Sequence, residues 1–292
     1  MISANGVYAL NKIILSADST CDLDATLRMR YHVNEYPLHV LLGKGEYQDG
    51  VNITADEIYD AYRRYHILPT TAAVNVGEYV TYFKNWAEAG YSVIHFNLGS
   101  GLSSSYQNCC IAAKAYPSVY PVDSCNLSTG IGLLVLEAAD RIAAGMEAEQ
   151  IVREVCALRA HVHASFILDT LEFLHAGGRC SALAALGANF LNIKPCIEVD
   201  NTSGKMNVGK KYRGPLERVL PQYAADKLAG RGDLKNGRVF ITHSGIAQEK
   251  IDLVKNTIRR CADFREIYVT RAGSTISSHC GPNTLGVLFM TK

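Results

Sequence analysis

Residues 99–105, with the sequence GSGLSSS, have the composition of a loop that binds an anion. Their small side chains let the backbone approach a ligand, and the helix predicted to follow offers free N–H groups and a partial positive charge. The segment lacks the Gly-Lys-Ser/Thr ending of a P-loop, and Ser104 stands where the dinucleotide fingerprint needs its third glycine. It therefore predicts an anion site, although serines also cap helices for purely structural reasons.

The same segment nearly matches the nucleophile elbow Gly-x-Ser-x-Gly of serine hydrolases, with Ser103 at the nucleophile position. His279 or another histidine, with an aspartate, could complete a triad. Ser105 occupies the last elbow position, where a side chain crowds the strained turn. A hydrolase that uses Ser103 and His279 therefore remains an alternative.

Two further segments place one charged or titratable group beside residues that expose backbone. Arg179 follows a glycine pair and could anchor a carboxylate or phosphate, while His279 could donate a hydrogen bond. A plain turn and an incidental loop histidine are the competing interpretations. Residues 210–213, KKYR, predict either a solvated strand face or a docking patch for an acidic partner.

Composition limits the class of partner. The chain has 292 residues, enough for two domains, and its 48% hydrophobic and 20% charged residues are typical of a globular protein. Twenty-nine basic against 28 acidic residues give a formal charge of +1, so no overall field attracts nucleic acid or anionic lipid. We expect a partner that binds in a pocket.

Cysteine usage and hydropathy indicate a reduced compartment and no metal. The nine cysteines include no C-x-x-C pair, and the close pair His161 and His163 lacks further ligands nearby. Neither a membrane span nor, in residues 1–11, a signal peptide is apparent. These observations predict a cytoplasmic protein without a metal or cofactor.

The first half of the chain alternates strand and helix patterns. This order predicts a parallel sheet covered on both faces, an α/β/α three-layer domain over residues 1–160. Thr54 and Glu57 have capping-box spacing, and Thr70 and Thr71 should lie in a loop after Pro69. Ligands bind beyond the carboxyl ends of such strands. The predicted strands are 12–17, 36–42, 92–97 and 119–122, and the helices are 54–66, 77–89, one through 115, and 128–144.

The second half predicts a mixed α+β domain over residues 161–292. Two strands, 195–199 and 205–212, flank the turn residues NTSG and should form a hairpin. We place the boundary in a turn over residues 153–163. The remaining predictions are a helical turn at 171–175, helices at 216–228 and 248–261, and strands at 166–168, 238–242, 266–270 and 284–290.

Taken in chain order, these segments resemble the DegV family over residues 12–290. No single motif is specific, but their order and spacing are. Residues 71–73 read TAA where the family usually has Thr-Ser-Gln, and residues 103–105 read SSS where it has Ser-Gly-Thr. The matching segments are ADSTCD (17–22), LPTT (68–71), LSSSYQ (102–107), VDS (122–124), GIG (130–132), LEFL (171–174) before GGR (177–179), KP (194–195), GK (209–210) with Arg213, HCGP (279–282) and LG (285–286).

The resemblance implies a two-domain α/β fold that carries a long-chain fatty acid and has no catalytic residue of its own. The carboxylate would sit at the interdomain cleft and the acyl chain in an apolar tunnel of the second domain. A separate fatty acid kinase would convert the presented acid to an acyl phosphate for phospholipid metabolism, with at most transient membrane contact. A small-molecule kinase subunit on a related fold is a further alternative. The residues implied are Thr71, Ser103, Ser104, Arg179 and His279 for the ligand, and Arg213 for kinase docking.

Overall fold

The structure of the chain, a computed structural model, describes residues 12–181 and 193–292. They form a four-stranded, a six-stranded and a three-stranded sheet with helices packed on them, which confirms the predicted mixed fold. The signal-peptide prediction concerns residues 1–11, outside the described part. The strands are β1 (Ile13–Asp18), β2 (Val33–Tyr36), β3 (His39–Leu42), β4 (Gly45–Gln48), β5 (Thr70–Ala72), β6 (Ser92–Asn97), β7 (Val119–Asp123), β8 (Val162–Ile167), β9 (Ile193–Val199), β10 (Met206–Arg213), β11 (Leu234–His243), β12 (Glu266–Arg271) and β13 (Leu285–Thr291).

The helices connect and cover these sheets. Helix α2 begins at the capping box that the sequence predicted, in which Thr54 Oγ1 accepts from Glu57 N and the Glu57 carboxylate accepts from Thr54 N. The helices are α1 (Ala25–Arg30), α2 (Ala55–Tyr65), α3 (Val76–Glu88), α4 (Ser105–Ala113), α5 (Thr129–Ala143), α6 (Ala148–Leu158), α7 (Glu172–Gly177), α8 (Leu216–Leu228), α9 (Gln248–Cys261) and α10 (Ser274–Cys280), with 3₁₀ turns at Ser19–Cys21 and Arg159–His161.

The four-stranded sheet is parallel, in the order β2-β1-β6-β7, as predicted. Its central strands, β1 and β6, are mostly buried, as expected for a sheet covered by helices on both faces. The carboxyl ends of three strands lie at one edge and carry Asp18, Asn97 and Asp123. This edge is where the sequence placed a ligand.

The predicted strand 36–42 is wrong as a single element. The chain breaks at Pro37, which has no N–H to donate to a ladder, and forms β2 in the parallel sheet and β3 in the small sheet. The prediction that Thr70 and Thr71 lie in a loop is also wrong. Both belong to β5, which pairs antiparallel with β3 through Leu41↔Thr70 and Val40↔Thr71.

The six-stranded sheet has the order β10-β9-β8-β13-β11-β12 and is antiparallel except between β11 and β12. The predicted hairpin is confirmed as β9 and β10. Its turn forms because Asp200 Oδ1 accepts from the backbone N–H groups of Thr202 and Ser203. Helices α8 and α9 cover exactly the predicted residues.

Two helices depart from the sequence prediction. The turn predicted over 153–163 is wrong, because α6 continues to Leu158 before the 3₁₀ turn. Helix α10 occupies the segment around His279, where the sequence suggests a loop. It is fixed by tertiary contacts at its start, where Asp22 accepts from Gly273 N and Asp49 accepts from Ser274 N. The domain boundary at residue 160 stays a prediction.

Helix α5 packs against both large sheets. It contacts β1 and β6 of the parallel sheet and β8, β11 and β13 of the mixed sheet. Eleven consecutive residues, from Thr129 to Ala139, are buried, as is typical of a helix that is surrounded by protein. Its first residue, Thr129, contacts β11, because Thr129 Oγ1 lies 2.6 Å from Thr242 Oγ1. No helix in the described part of the chain is long and apolar enough to cross a membrane.

Candidate functional site

The loop after β6 is fixed by a buried carboxylate. Asp18 is fully buried at the end of β1, and its Oδ2 accepts from Leu98 N at 2.9 Å. Its Oδ1 accepts from Tyr79 Oη at 2.7 Å and lies 3.1 Å from His95 Nε2. A buried carboxyl group has lost its water and needs hydrogen-bond partners in the protein. Asp18 thus holds the start of the loop that carries Ser103.

Thr71 and His279 meet across the chain. Thr71 Oγ1 in β5 lies 2.8 Å from His279 Nε2 in α10, although 208 positions separate the two residues. Both line a cavity of about 180 Å³, here called the polar cavity. Its other walls are Leu38, Ala72, Ala73, Leu98, Leu102, Ser103, Ser104, Leu127, Arg179, Met206, Thr275 and Ile276.

His279 is neutral at physiological pH. Burial, and then the positive charge of Arg179, lowers the pKa of its imidazole from 6.5 to about 4. Its Nδ1 is buried without a hydrogen-bond partner. The ring fits because Gly177 has no side chain, since a Cβ there would lie 2.2 Å from Nδ1. A neutral imidazole bound to Thr71 can orient the threonine hydroxyl toward the cavity.

The serines of the anion-binding segment have different surroundings. Ser103 Oγ accepts from Ser105 N at 3.2 Å and lies 3.0 Å from Ser105 Oγ. Ser105 is fully buried, whereas Ser103 is half-buried at the cavity wall. Ser104 is exposed, precedes α4, and makes no side-chain cap. Ser103 therefore presents the hydroxyl that combines partial burial with a place on the polar cavity.

Arg179 lies at the rim of the polar cavity, and Arg213 does not line it. Arg179 is exposed, and its Nη1 donates to Gly177 O at 2.6 Å. Arg213 is exposed at the end of β10, the edge strand of the mixed sheet. The predicted ligand residues Thr71, Ser103, Ser104, Arg179 and His279 are thus brought together around one cavity, and the predicted docking residue lies elsewhere.

A second cavity, of about 60 Å³, adjoins the first and is here called the apolar cavity. Four residues line both cavities: Leu127, Met206, Ile276 and His279. Phe166, Leu174 and Leu288 form much of its wall. Two polar residues of its wall use their hydroxyls in hydrogen bonds within the protein. Thr242 Oγ1 lies 2.6 Å from Thr129 Oγ1, and Ser244 Oγ donates to Gly281 O. The two cavities therefore join a polar chamber to a small apolar one.

The described residues do not place Ser103 and His279 in the hydrogen-bonded arrangement that the hydrolase alternative requires. Ser103 and His279 share the polar cavity, but no hydrogen bond joins them, and the imidazole is bound to Thr71 instead. A Ser-His-Asp chain exists at Ser16, His95 and Asp18, with contacts of 2.9 and 3.1 Å. All three side chains are fully buried, so no substrate reaches them. The described residues contain no cluster of His, Cys, Asp or Glu that could hold a metal.

The sequence did not single out several residues that shape the site. Leu127 and Ile276 line both cavities, Thr275 lines the polar cavity, and Gly177 admits the imidazole. The glycine pair before Arg179 is the sequence feature that could have indicated Gly177, because glycine is favoured where another part of the chain approaches the backbone closely. The other three lie in segments whose position depends on packing between the sheets, which no local pattern reports.

Comparison with known proteins gives full-length similarity. The DegV family model, described as "Uncharacterised protein, DegV family", matches residues 12–292. A DegV domain-containing protein of Clostridium perfringens is 34% identical over 212 residues, which are 72% of this chain and 75% of that protein.

Solved structures match over nearly the whole chain. The structure described as "Fatty Acid Binding of a DegV family Protein from Thermus thermophilus" has a TM-score of 0.85 at 28% identity and covers 96% of this chain and 100% of its own. The structure of "DegV, a fatty acid binding protein from Bacillus subtilis" has a TM-score of 0.79 at 24% identity, with 96% and 99% coverage. The latter shows the same fold.

Proposed function

The chain belongs to the DegV family, and we propose that it is a carrier of a long-chain fatty acid. The acid's carboxylate occupies the polar cavity and its acyl chain the apolar cavity. The Thermus thermophilus relative, whose structure is described as showing fatty acid binding, supports this proposal at 28% identity over 96% of the chain. Most walls of the apolar cavity come from residues after 160, in keeping with a lipid tunnel in the proposed second domain of residues 161–292.

The observation that carries the proposal is the junction of the two cavities at His279. A carboxylate that leaves water loses several kcal/mol unless it gains hydrogen bonds or positive potential. Thr71 and Ser103 would supply hydroxyl donors, and Arg179 supplies a positive charge at the rim. Ser104, which also lines this cavity, is proposed to contact the carboxylate through its backbone or hydroxyl.

The acyl chain would supply most of the affinity. Each buried CH₂ contributes about 0.8 kcal/mol, so a chain of the palmitate class gains far more than its head group. Ligand pockets usually measure about 300–1,000 Å³, and the apolar cavity is about 60 Å³. The tail would therefore enter by displacing side chains such as Leu174 and Met206 that line this cavity.

The proposed role includes no catalysis by this chain. A carrier requires neither a nucleophile nor a general base, and His279, with its lowered pKa, is bound to Thr71. We propose that a separate fatty acid kinase phosphorylates the presented acid and that it docks at Arg213. Arg213 is exposed beside Lys211 on an edge strand, which suits an acidic partner surface.

Native mass spectrometry of the protein purified from cells tests the carrier function. The expected result is a non-covalent adduct with the mass of a long-chain fatty acid, roughly C14–C18, that denaturation releases. A ligand-free protein that also fails to bind added palmitate contradicts the proposal.

Kinase docking is tested separately by charge reversal. Arg213→Glu should reduce acyl-phosphate formation by a fatty acid kinase without changing palmitate affinity, because Arg213 lines neither cavity. Arg259→Glu, at an exposed position of α9, is the matched control. Equal loss in both variants, or no loss in either, contradicts a docking role for Arg213.

A further inference from the structure

One hydroxyl on α10 is buried without a partner at the polar cavity. Thr275 is 2% exposed, and its Oγ1 makes no hydrogen bond. The other hydroxyls of this helix are all satisfied by backbone carbonyls. Ser274 Oγ donates to Ile53 O at 2.9 Å, Ser277 Oγ to Ala272 O at 3.2 Å, and Ser278 Oγ to Ser274 O at 2.7 Å.

An unpaired buried hydroxyl is costly, because it has lost water and gained nothing in return. Thr275 lies in the first turn of α10, its i−4 residue 271 belongs to β12, and the bond that Ser278 makes to an i−4 carbonyl is not made by Thr275. The hydroxyl would therefore be satisfied by a molecule in the cavity that Thr275 lines.

The position of Thr275 relative to His279 supports the same conclusion. The two residues are four positions apart in α10 and so share one face of the helix. Both line the polar cavity, and His279 is bound to Thr71 there. A group that reaches the Thr71 hydroxyl lies on the side of α10 that carries Thr275.

We infer that Thr275 is a third hydroxyl donor to the carboxylate of the bound acid, beside Thr71 and Ser103. The inference rests on the proposed function and specifies its ligand as an unesterified acid. An ionised carboxylate has about four lone-pair sites on its two oxygens, so it can accept hydrogen bonds from three hydroxyls. An ester has an alkoxy group in place of one of these oxygens and carries no charge, so it is a weaker acceptor for the three donors.

The test is titration of palmitate into the wild type and three variants. Thr275→Val keeps the shape of the side chain and removes the hydroxyl, and it should weaken palmitate binding about tenfold. Thr275→Ser keeps the hydroxyl and should stay within about twofold of the wild type. Thr20→Val is the matched control, because Thr20 Oγ1 is also buried and unpaired but lines neither cavity; its affinity should be unchanged.

Two further readouts separate ligand contact from a structural role. The melting temperature of ligand-free Thr275→Val should equal or exceed that of the wild type, since the substitution removes an unpaired buried hydroxyl. The carboxyl resonance of palmitate labelled at its carboxyl carbon should shift in the Thr275→Val complex and return in Thr275→Ser. If Thr275→Val does not fold, Thr275→Ala against Thr275→Ser makes the same comparison.

The outcomes distinguish this inference from the proposed function. A wild type that does not bind palmitate refutes the carrier function itself. A wild type that binds, with Thr275→Val equal to Thr20→Val in affinity and carboxyl resonance, overturns the role of Thr275 alone. Weaker binding by Thr275→Val together with a lower melting temperature and an unshifted resonance also overturns it, as the effect is then structural.

Discussion

Replacing Gly177 by alanine should displace the imidazole of His279 and weaken fatty acid binding. Gly177 is the last residue of α7, and a Cβ built there would lie 2.2 Å from His279 Nδ1 and 3.1 Å from Cε1. Since real Cβ atoms stay beyond about 3 Å from such neighbours, the ring must move by roughly 1 Å. That movement breaks the 2.8 Å contact between Thr71 Oγ1 and His279 Nε2.

Two opposing effects set the size of the change. Overpacking a dense interior costs about 1–3 kcal/mol, and losing one hydrogen bond costs about 0.5–1.5 kcal/mol. Alanine is favoured over glycine in a helix by about 0.5–1 kcal/mol. We therefore expect the free energy of unfolding to fall by about 1–2 kcal/mol and the palmitate affinity to fall about two- to tenfold.

Urea unfolding and isothermal titration with palmitate measure these two quantities. Gly232→Ala is the control, because a Cβ there meets no atom within 4 Å and no positive φ opposes it. If Gly177→Ala matches Gly232→Ala in both stability and affinity, the reasoning about the fit of His279 is refuted.

Thr71→Val and Ser103→Ala each remove a hydroxyl donor, so each should weaken palmitate binding about two- to tenfold in isothermal titration. Thr81→Val, at an exposed position of a helix, is the control. Unchanged affinity in both would remove these residues from the site. The free energy of unfolding should fall as pH rises from 6.5 to 8, because burial raises the pKa of Asp22 from 3.8 to about 8 and the folded protein then holds a proton that the unfolded chain has released. The pKa of His279 is lowered from 6.5, so titration of His279 makes the free energy of unfolding rise with pH only below pH 6.5. In Asp22→Asn, the free energy of unfolding measured with urea should depend less on pH between 6.5 and 8. A pH dependence equal to that of the wild type would refute the raised pKa of Asp22. Ester turnover that Ser103→Ala abolishes would favour the hydrolase alternative, and we expect none.

Elements with strong local signals were predictable. The capping box of Thr54 and Glu57 fixes the start of α2, and the turn residues after Val199 specify the β9–β10 hairpin. The alternation of strand and helix gave the parallel sheet, because a buried strand and an amphipathic helix each have a recognisable period. These signals depend only on neighbours in the chain.

Elements that depend on distant contacts were not predictable. Helix α10 reads STISSHC, which lacks helical periodicity, and its first N–H groups are satisfied by Asp22 and Asp49 from the other end of the chain. The strand β5 forms because Thr71 finds a partner in Val40. Both elements carry residues of the polar cavity, so sequence patterns could name Thr71 and His279 but not their contact.

Thr275 illustrates the same limit within the site. Its significance comes from an unsatisfied hydroxyl and a cavity, neither of which a single threonine in a serine-rich segment reveals. Arg179 was named from the sequence for its charge, yet its exposure places it at the rim of the cavity. Residue type suggests what a side chain can do, and packing decides whether it does it.

A crystal structure of the protein with bound palmitate tests the central claim most directly. The account predicts that the carboxylate lies within hydrogen-bond distance of Thr71 and Ser103 in the polar cavity and that the acyl chain passes His279 into the space between Phe166 and Leu288. A carboxylate bound elsewhere, or an acyl chain that lies outside the two cavities, would contradict it.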